Sequence, residues 1–285
     1  MKILVTGANG QLGQDIVKIL GSNHEIYGFG REQLDITNEY QCLEVLESLN
    51  PDIVIHSAAY TAVDLAETEE DKAYEINAFG TRNLAVAAEK VGAKLCYIST
   101  DYVFDGTGTT PYREYDNTNP QSIYGKSKRA GELLVQTLST KYFIVRTSWV
   151  YGLYGANFVK TMLKLAQDRD SLKVVNDQFG SPTYTVDLAN FLEQLVRTER
   201  YGIYHASNTG VCSWFDFAGA IFEESGKKIN VMPCSTEEFP RPAPRPRFSA
   251  MEHMAIRANG FEDLRPWREG LQAFLEELGV SNVLR

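Results

Sequence analysis

Lys2-Ile-Leu-Val-Thr6-Gly7-Ala-Asn-Gly10-Gln-Leu-Gly13 begins the reading. Lys2 to Thr6 is a short, mainly apolar run, the pattern of a strand buried in a parallel sheet. The glycines follow at once. Leu12, Ile16, Ile19 and Leu20 then recur at helical spacing. Strand, glycine turn and helix in that order are the context a dinucleotide-binding fingerprint requires. Gly7 allows a tight turn, Gly10 lets backbone approach a pyrophosphate at the helix N-terminus, and Gly13 permits close helix–strand packing. The spacing is G-x-x-G-x-x-G rather than the commoner G-x-G-x-x-G.

The same alternation continues outward. Strands are expected at 25–29, 52–56, 94–99 and 142–146. Helices are expected at 38–49, at 71–78 and 80–91 with a break near Gly80, and after Ser122. Asn77, at that break, reads as a residue that bonds backbone. Alternating strands and helices predict an α/β fold, a Rossmann-type doubly wound parallel sheet. Residues 1–152 would form this dinucleotide-binding domain, with 184–208 returning to it through a helix at 186–197 and a strand at 202–206. Residues 153–285 would mainly build a smaller C-terminal substrate domain. Ser213-Trp-Phe-Asp216 has the form of a capping box before a helix at 214–225. Residues 107–121 form a polar loop long enough for a lid or rim.

The chain has 285 residues, 44% of them hydrophobic, and a net charge of −9. No basic stripe is evident, so no nucleic-acid partner is expected. No apolar run approaches membrane-spanning length, and no membrane association is expected. Cys42, Cys96, Cys212 and Cys234 are scattered without a Cys-x-x-Cys pair. They read as reduced thiols of a cytoplasmic protein. The four histidines lack metal-ligand spacing, and there is neither a Gly-x-Ser-x-Gly elbow nor a P-loop, so no metal is expected.

Chemistry is concentrated after the fourth strand. Ser99-Thr100-Asp101-Tyr102 falls at its C-terminal end, where doubly wound sheets build their sites. Tyr124 and Lys128 are four residues apart, on one face of a helix. A nearby cation would lower the phenol's proton affinity and tune Tyr124 for acid/base work, although an exposed helix face gives the same spacing. After strand two stand Gly30 and Arg31, where an acid would receive the adenosine ribose and an Arg a 2′-phosphate. The alternating Pro240–Arg247 segment is stiff and cationic, and it offers Arg245 to a phosphate or simply to solvent.

Taken together, Gly7-x-x-Gly10-x-x-Gly13, Ser99-Thr-Asp-Tyr-Val-Phe104, Tyr124-x-x-x-Lys128, Arg146-Thr-Ser-Trp149-Val-Tyr-Gly152, Asp177-Gln-x-Gly-Ser-Pro-Thr183 and Arg245-Pro-x-x-Ser249 resemble the extended short-chain dehydrogenase/reductases. Among them the chain is most similar to the dTDP-4-dehydrorhamnose reductase family, along essentially its whole length. That resemblance implies reduction of a dTDP-4-keto sugar with NADPH, or with NADH, and leaves room for a homodimer. It implies that Tyr124 donates a proton to the C4 oxygen and that Lys128 holds the nicotinamide ribose and lowers the Tyr124 pKa. Gly7, Gly10, Gln11, Leu12, Gly13, Arg31, Asp35, Ile36, Ala58, Ala59, Tyr60 and Thr61 would line the cofactor site. Thr100, Asp101, Tyr102, Trp149 and Arg245 would contact substrate. Two departures stand out. The acid common near position 30 is absent, and of the acids that hold Mg²⁺ between subunits in some members only Asp15 and Asp187 are candidates. Another nucleotide-sugar reductase or epimerase, or a non-catalytic regulatory relative, shares the same fold.

Overall fold

β1 (Lys2–Thr6), β2 (Glu25–Phe29), β3 (Ile53–His56), β4 (Lys94–Thr100) and β5 (Tyr142–Thr147) are joined through helices, so every pairing between neighbours is parallel. The computed structural model describes residues 1–281. Residues 282–285, the end of the expected C-terminal domain, lie outside the described residues. The strand Gly202–His205 returns to the sheet beside β5. The order across the sheet is Gly202–His205, β5, β4, β3, β1, β2, which reverses direction of growth between β1 and β3. That reversal is where a doubly wound sheet opens its crevice.

Both faces of the sheet are covered. On one, Ile3, Val5, Ile53, Ile55, Phe143 and Val145 pack against α1 (Gln11–Leu20) and the helix Thr185–Val196. On the other, Leu4, Val54, Leu95 and Ile144 pack against α2 (Glu39–Leu49) and later helices. A third apolar cluster, built around Tyr151, Tyr184, Phe217 and Phe274, lies in the C-terminal part of the chain.

Local caps agree with the sequence. Asn38 accepts from the Gln41 amide at the start of α2, and Ser122 accepts from Gly125 at the start of the Tyr124 helix. Ser213 and Asp216 make the expected reciprocal box. The expected break near Gly80 is absent. α3 (Val63–Ala66) is a single turn. α4 (Glu70–Tyr74) runs through a π-helical turn, Glu75–Gly80, into α5 (Thr81–Val91). An added Cβ at Gly80 would lie 2.7 Å from Ile36. Gly80 is therefore a close-packing position rather than a breaker.

Candidate active site

The glycine turn is as tight as its sequence requires. Gly7 has φ +68°, and a Cβ there would sit 2.6 Å from the Ala58 amide. A Cβ on Gly13 would lie 2.1 Å from the Gly7 carbonyl. α1 starts at Gly10 with no side chain capping its first amides. The helix thus presents free N–H groups and its positive dipole end to the crevice, the arrangement that binds a pyrophosphate.

The crevice opens into one cavity of about 890 Å³. Every expected cofactor residue borders it, as do Thr100, Asp101, Tyr102, Tyr124, Lys128 and Trp149. Arg245 does not. Its guanidinium pairs with Asp64 at 2.8 Å. No residue of the 107–121 loop borders the cavity either. That loop is tied down where Tyr112 exchanges backbone bonds with Ala250 and Glu252.

The reactive end is built by β4 and α6 (Ile123–Leu138). Thr100 closes β4, and its hydroxyl faces the Tyr124 phenol. Burial pushes the Tyr124 pKa up to about 12, the Thr100 contact opposing it in part. Burial also pulls Lys128 down to about 7, against the attraction of Glu132. Burial outweighs the lowering that the sequence led one to expect of Lys128, which is not among the groups that shift Tyr124 in the ligand-free protein. The Lys128 ammonium donates to the Ile98 carbonyl at 2.7 Å and lies 4.1 Å from the Tyr97 ring centre. Desolvation dominates both groups.

Glu132 anchors this corner from beneath. It is fully buried, and it accepts from Ser99 Oγ at 2.6 Å and from Arg146 Nε and Nη2 at 2.8 Å. One carboxylate therefore joins β4, β5 and α6. Asn77 does the same on the opposite wall, bonding both the amide and the carbonyl of Tyr60 and the Ser127 hydroxyl.

The substrate end is aromatic. Trp149 holds a left-handed φ of 48° and stacks on Trp214 with ring centres 3.6 Å apart. Gly180 leaves the room, since a Cβ there would fall 2.7 Å from the indole. Sequence reasoning named Trp149 but missed Trp214, which is 65 positions away and announced by no local signal. It also missed Asn9 and Lys72 on the cavity wall.

At the adenosine end, the Asp35 carboxylate accepts from Thr37 N and Oγ1. A Cβ on Gly30 would meet Asn9 Nδ2 at 2.3 Å, so Asn9 fills the space where an acid at position 30 would stand. Of the two acids expected as metal candidates, Asp187 is paired with Arg265. Asp15 is buried with neither oxygen hydrogen-bonded. Among the described residues no three His, Cys, Asp or Glu side chains cluster as metal ligands, and no helix is long and apolar enough to cross a membrane.

A parallel doubly wound sheet, a glycine cradle at its switch point and a Tyr/Lys/Thr corner define a nicotinamide-dependent oxidoreductase of the extended short-chain type. The chain belongs to the family described as the RmlD substrate binding domain, which it matches over residues 1–280. It is 47% identical to the spore coat polysaccharide biosynthesis protein SpsK of Bacillus subtilis, over 97% of each chain. It is 44% identical to a dTDP-4-dehydrorhamnose reductase of Aggregatibacter actinomycetemcomitans, over 88% of this chain and 90% of the relative. Among solved structures, the dTDP-4-dehydrorhamnose reductase of Bacillus anthracis in complex with NADP superposes with a TM-score of 0.95 at 53% identity, covering 97% of this chain and 100% of that one.

Proposed function

We propose that this chain reduces the 4-keto group of dTDP-4-dehydro-L-rhamnose to give dTDP-L-rhamnose, using NADPH. The observation that carries the reading is the meeting of Tyr124 and Thr100 at the end of β4, inside the cavity that also contains the glycine cradle. The cradle fits a dinucleotide because added Cβ atoms would fill it and no side chain caps α1. The amides of Gly10, Gln11 and Leu12 would hold the pyrophosphate, Asp35 and Ile36 the adenine end, and Lys128 the nicotinamide ribose. When bound, the nicotinamide supplies the hydride.

Tyr124 supplies the proton. Burial keeps its phenol protonated across the neutral range, so it gives up the proton only to a strong base. The C4 oxygen becomes such a base as the ketone is reduced, and Thr100 hydrogen-bonds the same developing charge. Trp149, held against Trp214, offers the sugar nucleotide a flat apolar wall. Residues 1–152 with 184–208 form the cofactor-holding part, and the remainder the substrate part. The cluster of Val159, Leu172, Phe217, Ile221 and Phe274, separate from those on the sheet, supports a distinct substrate part, which Tyr151 and Tyr184 join to the cofactor-holding part. Four unbridged, buried cysteines fit the reducing cytoplasm.

The test is NADPH oxidation with dTDP-, GDP- and UDP-linked 4-keto-6-deoxy sugars, the product being identified by NMR. Turnover of the dTDP substrate to dTDP-L-rhamnose is expected. Turnover only with another base would overturn the reading.

A further inference from the structure

We propose that Trp214 is a positioning residue for the sugar nucleotide: it holds the Trp149 indole in place as a pre-formed wall of the cavity. Trp214 does not itself border the cavity, so it acts through Trp149. The inference rests on the reductase reading for the identity of the ligand.

Among the described residues, Asn50 and Trp149 alone hold a left-handed φ without being glycine. Asn50 ends α2, where that conformation is an ordinary helix stop. For a bulky aromatic it is an outlier, and such strain persists only where the surroundings over-determine it. The backbone around Trp149 is fixed on both sides. Ser148 Oγ donates to the Ser181 carbonyl at 2.7 Å, and the Trp149 carbonyl accepts from the Thr183 amide at 3.2 Å. Val150–Tyr151 then pairs with Thr183–Tyr184.

The ring is held by two groups that one ribbon delivers. Cys212–Ser213 pairs antiparallel with Phe179–Gly180. Gly180 gives the indole its space, because a Cβ there would fall 2.7 to 2.9 Å from Cε2, Cζ2 and Nε1. Trp214 follows Ser213 and opens a helix whose first turn is locked by the Ser213/Asp216 box. Its ring lies within 9° of parallel to Trp149. Phe158 packs on Trp214 in turn, with ring centres 4.6 Å apart. Trp214 is therefore anchored, and Trp149 rests on it while half-buried at the cavity edge. A wall already fixed before binding spares the ligand the cost of ordering a large side chain. The effect belongs to sugar-nucleotide binding, because Tyr124 and Lys128 stand on α6 and the glycine cradle on α1.

The experiment is a double-mutant cycle read by steady-state kinetics with dTDP-4-dehydro-L-rhamnose and NADPH. Trp214→Leu should raise the sugar-nucleotide KM about three- to tenfold, the scale of a stacked aromatic pair, with kcat little changed. Trp214→Phe keeps a stacking ring and should return KM to within about twofold of wild type. In a Trp149→Ala protein, Trp214→Leu should have no further effect, since nothing is left to position. Additive effects of the two changes, or a fall in kcat as large as the rise in KM, would overturn the proposal. A second measurement needs no turnover. Labelling with 5-fluorotryptophan gives ¹⁹F resonances for Trp149, Trp214 and Trp267. In the ligand-free wild type, the Trp149 line, assigned through Trp149→Phe, should be single and narrow. Trp214→Leu should broaden or split it and leave the Trp267 line sharp. A broad or split Trp149 line in the wild type, or a narrow one in Trp214→Leu, would also overturn the proposal. Wild-type turnover tests the reductase reading separately.

Discussion

Arg245 reaches across the rim of the site to Asp64, with Nη2 2.8 Å from Oδ1, and the Ala243 amide donates to the same oxygen. The pair ties the proline-stiffened 240–247 segment to α3, just outside the cavity wall at Ala62 and Val63. Arg245 works here as a clasp. Arg245→Ala and Asp64→Asn should each raise the KM for the sugar nucleotide, with kcat and the KM for NADPH little changed. The side chains are 18% and 34% exposed, so the pair is worth ~1 kcal/mol or less and the rise should be about fivefold at most. Steady-state kinetics on both variants decide. If Asp64→Asn instead tightens substrate binding, Arg245 is a phosphate ligand that Asp64 holds back.

Tyr124→Phe keeps the ring and removes the proton. Turnover should drop by ~10²-fold or more while NADPH affinity, measured by fluorescence titration, stays close to wild type. Near-normal kcat would remove Tyr124 from the chemistry. Lys128 has a different signature. Burial lowers it to about 7, so its ammonium is lost as pH rises through that value. NADPH binding to the ligand-free protein should weaken above about pH 7, and Lys128→Met should abolish that dependence.

Where a residue's job is local, the sequence announced it. Gly7 has to be glycine because its φ is left-handed and Ala58 is packed against it. The Ser213/Asp216 box is complete within four residues. The Tyr124/Lys128 spacing likewise needs only the helix repeat. What stayed hidden depends on register between distant segments. Nothing near Glu132 indicates that Arg146 and Ser99 will close on it, because β4 and β5 must first pair. Arg245 looked free because its partner lies 181 positions earlier. The π turn at Glu75–Gly80 also escapes a helix pattern, since it adds one residue without changing composition.

The Glu132–Arg146 pair should be structural before it is functional. Both residues are buried, and removing one leaves the other uncompensated. Glu132→Gln should destabilise the protein by about 3–5 kcal/mol in urea unfolding. A loss under about 1 kcal/mol would mean that water or the new side-chain amide oxygen accepts from Arg146 in the carboxylate's place. Arg129 Nη1, 3.0 Å from Glu132 Oε2, loses the same charged acceptor.

Acid should weaken the fold through His56. Its ring bonds Thr6 Oγ1 at 2.8 Å and Thr81 Oγ1 at 3.0 Å, and burial lowers it to about 3, with the Lys128 charge adding to the effect. The folded value is depressed below the unfolded one of about 6.5, so the unfolded chain binds the extra proton. Stability is complete above about pH 6.5 and declines as pH falls toward about 3. Between pH 7 and pH 5 the loss from this residue is about 2 kcal/mol. His56→Gln should be less stable at pH 7 but should lose less on acidification. Equal losses in the two proteins would assign the acid sensitivity to other groups.

Cofactor choice should turn on Arg31, Gly30 and Asn9. No carboxylate stands at position 30 to repel a 2′-phosphate, the Asn9 amide occupies that space, and Arg31 lines the same end of the cavity. NADPH should therefore be used at least as well as NADH. The preference should be modest, because Arg31 is exposed and its charge is screened. Raising the salt concentration should shrink it. Arg31→Ala should raise the KM for NADPH and leave NADH almost unchanged, since only the phosphate loses a partner. Gly30→Asp should shift preference toward NADH. The new Cβ would meet Asn9 Nδ2, the far end of a flexible side chain, so Asn9 swings aside and a ribose acceptor replaces an amide donor. The measurement is kcat/KM for both cofactors in the three proteins, at low and high salt. A strong wild-type preference for NADH, or an Arg31→Ala protein that treats both cofactors as before, would show that this loop does not read the phosphate.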